Sequence, residues 1–204
     1  MGRRRSYDQH AVVIAAKEEF WQHGLEWTAV SDLEDATALS RSSLYLAFET
    51  KRGLFDAALA DYCDSFIQSL LGPLEAPQAG LREAAVYFRA LAALFANPES
   101  QRGCLMINTI GESAGRDPTF TGPAAQFADR FRAAFSNALR GAATQGAMAS
   151  GEVARRSELL AAAALGVWLA VRADSAAAAT TCRAVAHEIT SWARSDKPAT
   201  KRRR

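Results

Sequence analysis

Residues 28–51 read TAVSDLEDATALSRSSLYLAFETK, and the pattern in this stretch decides the fold. Val30, Leu33 and the Ala36–Thr37 pair give an apolar-leaning face of about two turns, and Leu44 and Phe48 repeat the four-residue spacing after a break. Between them, Leu39 supplies an apolar plug and Ser40 an N-cap acceptor for a second short helix. Helices this short are marginal on their own and have to pack on neighbours. The start of the second helix carries Arg41, Ser42 and Ser43, polar groups of two lengths suited to base edges and phosphates. This is the layout of a helix-turn-helix whose second helix enters a DNA groove.

The run resembles the DNA-binding signature of the TetR/AcrR family of transcriptional regulators. That signature has a Thr before the second helix, an Ala-x-Gly-hydrophobic-Ser turn, a recognition helix ending in Leu-Tyr-x-x-Phe, and a Lys opening the fourth helix. Thr28, Ala36, Leu39, Ser40, Leu44, Tyr45, Phe48 and Lys51 stand at matching positions. The sequence departs from the pattern at the turn glycine, which is Ala38, at a small helix-crossing position, which is Glu34, and at Ala47, where a polar residue is frequent. A left-handed Ala38 costs roughly 1 kcal/mol relative to glycine. Glu34 is expected to keep its carboxylate in water, and Ala47 to remove one phosphate contact. The resemblance implies that Arg41, Ser42 and Ser43 read bases, with Ser40 capping their helix, and that Thr28, Tyr45 and Lys51 fix phosphates.

The chain has 204 residues, 49% hydrophobic and 23% charged, enough for one larger or two small globular domains with a sizeable core. Its three cysteines, Cys63, Cys104 and Cys182, fit neither a disulfide framework nor a zinc site, so reduced thiols in a cytoplasm are expected. Neither a signal peptide nor a membrane-spanning apolar run is seen. The net charge of +2 argues little for nucleic acid, and residues 1–52 hold seven Lys or Arg against eight Asp or Glu. Binding then depends on charge placement. Arg41, Lys51 and Arg52 gather around the recognition helix, and Arg3, Arg4 and Arg5 form a basic arm that suits a minor groove or, equally, a solvated tail. The basic end at Lys201–Arg204 reads as a tail.

In chain order, a first helix runs from about residue 6 or 7 to His23, with Val13, Ala16 and Phe20 on one face and Gly24 as C-cap. Trp21 and Trp27 are expected to pack this helix on the motif, and His10 and His23 to lie on the surface. A fourth helix opens at Lys51, carries Leu54, Phe55, Ala58, Leu59, Tyr62, Phe66, Ile67 and Leu70, and ends at Gly72–Pro73. It reads as the connector to the rest of the chain. Five further helices are expected, from Leu81, from Arg102, around Phe127–Gly141, over 154–173 and over 175–194. No stretch alternates long enough for a strand. The fold class is therefore all-α with about nine helices: a three-helix DNA-binding domain over 1–52, a helical ligand-binding and dimerisation domain over 53–194, and a basic tail over 195–204.

In the second domain, Gly103-Cys-Leu-x-x-Asn-Thr109 followed by Glu112 resembles one subgroup of the family. Cys104, Asn108 and Glu112 recur every four residues on one helical face. With Phe88, Phe95, Phe127, Phe131 and Trp168 they could line an apolar pocket holding a few polar groups; the alternative is that the aromatics are core. Cys104 is either a thiol tuned by a helix N-terminus or Arg102, or a small buried apolar residue. The alanine-rich last two helices present Leu159, Ala163, Gly166 and Ala170 on one face and Cys182, Val185, Ile189 and Trp192 on another, read as a four-helix homodimer interface. No Cys–His pair, metal cluster or phosphate loop points to an enzyme, and no cofactor is implied. The expected function is a ligand-responsive regulator, most naturally a repressor released from a palindromic operator by an unidentified small molecule bound in the C-terminal domain. A helical binding module that no longer binds DNA is the alternative.

Overall fold

The structure, a computed structural model, describes residues 7–113 and 117–195. Arg3, Arg4 and Arg5 and the Lys201–Arg204 end lie outside the described residues. Among those described, every regular element is helical: α1 Gln9–His23, α2 Val30–Thr37, α3 Arg41–Phe48, α4 Lys51–Tyr62, α5 Gln68–Glu75, α6 Leu81–Leu94, α7 Leu105–Ser113, α8 Thr121–Thr144, α9 Val153–Ala170 and α10 Ser175–Ser195. A π-helical turn, Cys63–Ile67, joins α4 to α5 without a break. With that run counted once, nine helices are described, the number expected. The described residues fold as two compact units, one of 7–68, 104–113 and 117–118, the other of 69–103 and 119–195. The boundary expected at residue 52 thus falls inside α4, and α7 packs with the N-terminal helices.

In the first unit, the Asp8 carboxylate accepts from the amides of His10 (2.9 Å) and Ala11 (3.4 Å). This cap starts α1 at Gln9, slightly later than the apolar spacing suggests. Gly24, at φ 84°, closes the helix as expected. Val12, Ala16 and Phe20 are buried where α1 packs on α2 and α4, and Phe20 meets Phe55 edge-on with ring centroids 5.1 Å apart. Lys17 Nζ reaches Asp61 on α4 at 2.6 Å, and His10 Nε2 lies 3.2 Å from the same carboxylate. Trp21 packs edge-on against Tyr62 and Phe66. Trp27 does not join it. It is 83% exposed, because Leu25 and Thr28 turn inward on either side and leave Trp27 pointing out.

The fourth helix does not stop at Gly72–Pro73. After the π turn, α5 runs through Pro73 to Glu75. Asn137 Nδ2 donates to the carbonyls of Leu74 (2.8 Å) and Ala76 (3.0 Å), supplying partners for the end of the helix two residues beyond the proline.

In the second unit, α6 packs on α8 and α10, and α9 on α8 and α10. Gly141 sits inside α8 because a Cβ there would overlap the Ala79 carbonyl oxygen. Both faces expected at a dimer interface are resolved. On α9, Leu159 and Leu169 are 54% and 63% exposed, and a Cβ on Gly166 would meet nothing within 4 Å. The α10 stripe is otherwise. Cys182, Ile189 and Trp192 are buried in the unit's own core, where the Trp192 ring covers the Arg156 guanidinium at 4.4 Å, and only Val185 of that stripe is half-exposed, so most of the stripe is core. Among the described residues, no helix is long and apolar enough to cross a membrane.

Candidate nucleic-acid interface

The α3 helix is held at both ends by unusual backbone. Ala38 ends α2 in the left-handed region, φ 54° and ψ 25°, the conformation its place in the turn requires. Thr37 Oγ1 donates to Leu33 O (2.5 Å) and accepts from Leu39 N (3.4 Å), bracing the same corner. Ser40 then takes extended angles, and its Oγ accepts from Ser43 N at 3.4 Å, the expected N-cap. The hydroxyls of Ser42 and Ser43 each lie 3.0 Å from Ser40 Oγ, so the three form one cluster.

Glu34 behaves differently from expectation. Its Oε1 accepts from Arg41 N at 2.6 Å, so the carboxylate is turned into the first amide of α3 instead of being left to water. The departure from a small residue thus becomes an interhelical cap that places negative charge at the positive end of α3.

At the other end, Glu49 has φ 65° and ψ −48°, and Thr50 N donates across it to Phe48 O at 2.7 Å. This is a γ-turn of the strained hand. Thr50 Oγ1 accepts from Gly53 N at 2.9 Å and caps α4, and a Cβ at Gly53 would overlap Phe48 O. The α3–α4 corner therefore needs glycine at 53. The signal for it in the sequence was a glycine in the first turn of a helix where propensity disfavours it.

Leu44 and Phe48 anchor α3 inward. Arg41, Ser42 and Leu46 are exposed, with Ser43 and Tyr45 half-buried beside them. The Arg41 guanidinium lies 5.4 Å from the Tyr45 ring centroid, a cation–π distance. Thr28, expected at a phosphate, is 1% exposed, and its hydroxyl donates to Gly24 O at 2.6 Å. Lys51 Nζ donates to Thr28 O at 3.0 Å. Thr28 thus positions Lys51 and the entry to α2 in this structure. Arg52, on α4, is tied to Asp56 (2.7 Å) and Asp117 (2.6 Å), while the cation on α3 itself is the exposed Arg41. Leu46 was not singled out from the sequence, although it falls off the Leu44–Phe48 period.

Cys104, Asn108 and Glu112 belong to the first unit, whereas Phe88, Phe95, Phe127, Phe131 and Trp168 belong to the second. Cys104 is fully buried, and that burial pushes its thiol pKa up. Of its two readings, the small buried residue fits. Burial likewise raises the Tyr62 hydroxyl. Glu112 seats its carboxylate against the α-carbon of Gly24, where a Cβ would overlap it. In the second unit, Phe88 stacks on Phe135, Phe127 tilts against Phe131, and Phe95 meets Trp168 edge-on. Among the described residues, no three His, Cys, Asp or Glu side chains are grouped to hold a metal ion.

Residues 13–58 match the family described as bacterial regulatory proteins, tetR family. The chain is 38% identical over 108 residues to the HTH-type transcriptional repressor ComR of Escherichia coli (strain K12), covering 52% of this chain and 51% of that protein. It is 31% identical over 118 residues to the uncharacterized HTH-type transcriptional regulator YezE of Bacillus subtilis (strain 168), covering 58% and 61%. The alignments thus span about half to three-fifths of these curated relatives. A cysteine-substituted TetR family transcriptional regulator, CifR, complexed with 26-base-pair double-strand operator DNA, superposes with a TM-score of 0.75 over 95% of this chain and 99% of that one, at 23% identity.

Proposed function

On the premise that this chain belongs to the tetR family of bacterial regulatory proteins, we propose that it is a homodimeric, DNA-binding transcriptional repressor, and not an enzyme, released from a palindromic operator by a small molecule. The observation that carries this reading is α3: an eight-residue helix capped at Ser40 by its own hydroxyl cluster, anchored inward by Leu44 and Phe48, and presenting Arg41 and Ser42 outward. In this reading Arg41, Ser42 and Ser43 meet base edges. Tyr45 and Lys51 meet phosphates, Thr28 holds Lys51 in place, and Arg3, Arg4 and Arg5 run along the flanking minor groove. The effector lies among Phe88, Phe95, Phe127, Phe131 and Trp168, while Cys104, Asn108 and Glu112 brace α7 within the DNA-binding unit. Two copies join through the exposed α9 stripe of Leu159, Gly166 and Leu169 together with the outer face of α10. The effector acts by favouring a dimer whose two α3 helices no longer match the half-site spacing, which needs a preference of only a few kcal/mol.

The test is binding of the purified protein to its own upstream DNA at two salt concentrations, beside a Tyr45→Phe, Lys51→Ala double variant. Specific binding that weakens with salt and is lost in the variant supports the reading. Equal, negligible affinity of both proteins for that DNA and for random duplex at low salt removes it.

A further inference from the structure

Leu46 is 87% exposed, the most open of the large apolar side chains described, and it sits in the middle of α3. A single exposed leucine is ordinary on a protein surface. This one is set apart by its place. Leu44 and Phe48 on the same helix are buried, so α3 already has its inward anchors, and Leu46 projects from the opposite side. One turn before it, on the same exposed face, stands Ser42; Arg41, exposed at the start of the helix, is turned toward the Tyr45 ring instead. Glu34, the nearest carboxylate to the helix start, is turned into the Arg41 amide and so withdrawn from that face. The face around Leu46 is thus polar toward the helix start, where Ser42 stands, with one apolar projection of methyl-packing size.

The major groove offers a single apolar group on its base edges, the C5-methyl of thymine. We propose that Leu46 is a specificity-determining residue that packs on a thymine C5-methyl in each half-site, beside the bases met by Arg41 and Ser42. This rests on the reading of α3 as the DNA-binding helix and adds a base preference to it. A helix that carries only Arg and Ser toward the groove can satisfy donors and acceptors on several bases. An apolar side chain at the same face adds a penalty for any base that presents a polar group there, which favours thymine over cytosine at that step.

The experiment first selects a binding duplex from a random pool with the wild-type protein. Each thymine of one half-site is then replaced singly by deoxyuridine, which removes the methyl group and nothing else. One position is expected at which the replacement weakens wild-type binding about four-fold, the scale of one buried methyl-sized group. Leu46→Ala is expected to weaken binding to the thymine duplex by at least as much, to be indifferent to deoxyuridine at that position, and to melt with the wild-type profile because the residue makes little intramolecular contact. Selected, salt-sensitive binding with no deoxyuridine position whose effect depends on residue 46 overturns this proposal and leaves the regulator reading standing. Failure of the wild-type protein to select any duplex sinks both.

Discussion

Ala38 holds φ 54° and ψ 25° between α2 and α3, two residues after Ala36, which is helical and exposed. Replacing Ala38 by glycine sets two effects against each other. Removing the methyl relieves a left-handed strain of about 1–2 kcal/mol. The added freedom of glycine in the unfolded chain takes back about 0.4–1 kcal/mol. The difference favours the variant by roughly 0.5–1 kcal/mol, which for a chain of this length raises the melting temperature by about 1–4 °C. Ala36→Gly is the matched control. It has no strain to relieve, so the usual penalty of about 1 kcal/mol for glycine in a helix applies and the melt shifts down. Urea and thermal denaturation of the wild type and both variants measure the signs directly. If Ala38→Gly destabilises the protein as much as Ala36→Gly does, the left-handed corner described here is not the one the chain adopts, and the reasoning from it falls.

Gly53→Ala should act in the opposite sense: the new methyl would overlap Phe48 O, so the α3–α4 corner must shift, at an expected cost of about 1–3 kcal/mol in urea unfolding and with weaker DNA binding than wild type. The Lys17 hydrogen bond, helped by His10, holds the Asp61 carboxyl below its ordinary value against some burial. Its contribution to stability is therefore complete above the unfolded carboxyl range, near pH 4, and is lost as pH falls through the lower folded value. Asp61→Asn should accordingly lower the melting temperature at pH 7, and the gap to wild type should close on acidification; a gap that persists at the lowest pH at which both proteins fold would refute this. Thiol titration of the native protein should find at most the half-buried Cys63 reactive, since burial covers Cys104 and pushes Cys182 up to about 11, and the other two thiols should appear only on unfolding.

Much of this was readable in the linear sequence because it depends on local chemistry. The Ser40 cap, the Gly24 stop, the inward Leu44–Phe48 pair and the left-handed Ala38 each follow from a few adjacent residues. What was not readable depends on partners distant in the chain. Asn137 carries α5 past a proline that locally signals a stop. Periodicity defines the faces of α10 but not which face is inward when alanine lines both, and the Cys182–Trp192 stripe turned out to be core. Trp27, expected to pack with Trp21 on the motif, is exposed because aromatic character does not fix which way the backbone points the ring. Leu46 was passed over because it breaks the apolar period that identified the helix.

The Glu34 contact bears on how this protein can be re-engineered or could have diverged. Under the proposed reading, α3 looks like a self-contained cassette, residues 41–48, that could be exchanged whole for another eight-residue helix. Here the first amide of that cassette is held by a side chain seven positions upstream, on a different helix. A graft confined to 41–48 would inherit that carboxylate whether or not the incoming helix expects it, and moving this chain's 41–48 into another scaffold would leave the carboxylate behind. The transferable segment is 34–53, from the carboxylate to the glycine of the corner, and specificity swaps that keep those limits together should preserve both the pitch of the helix and its stability.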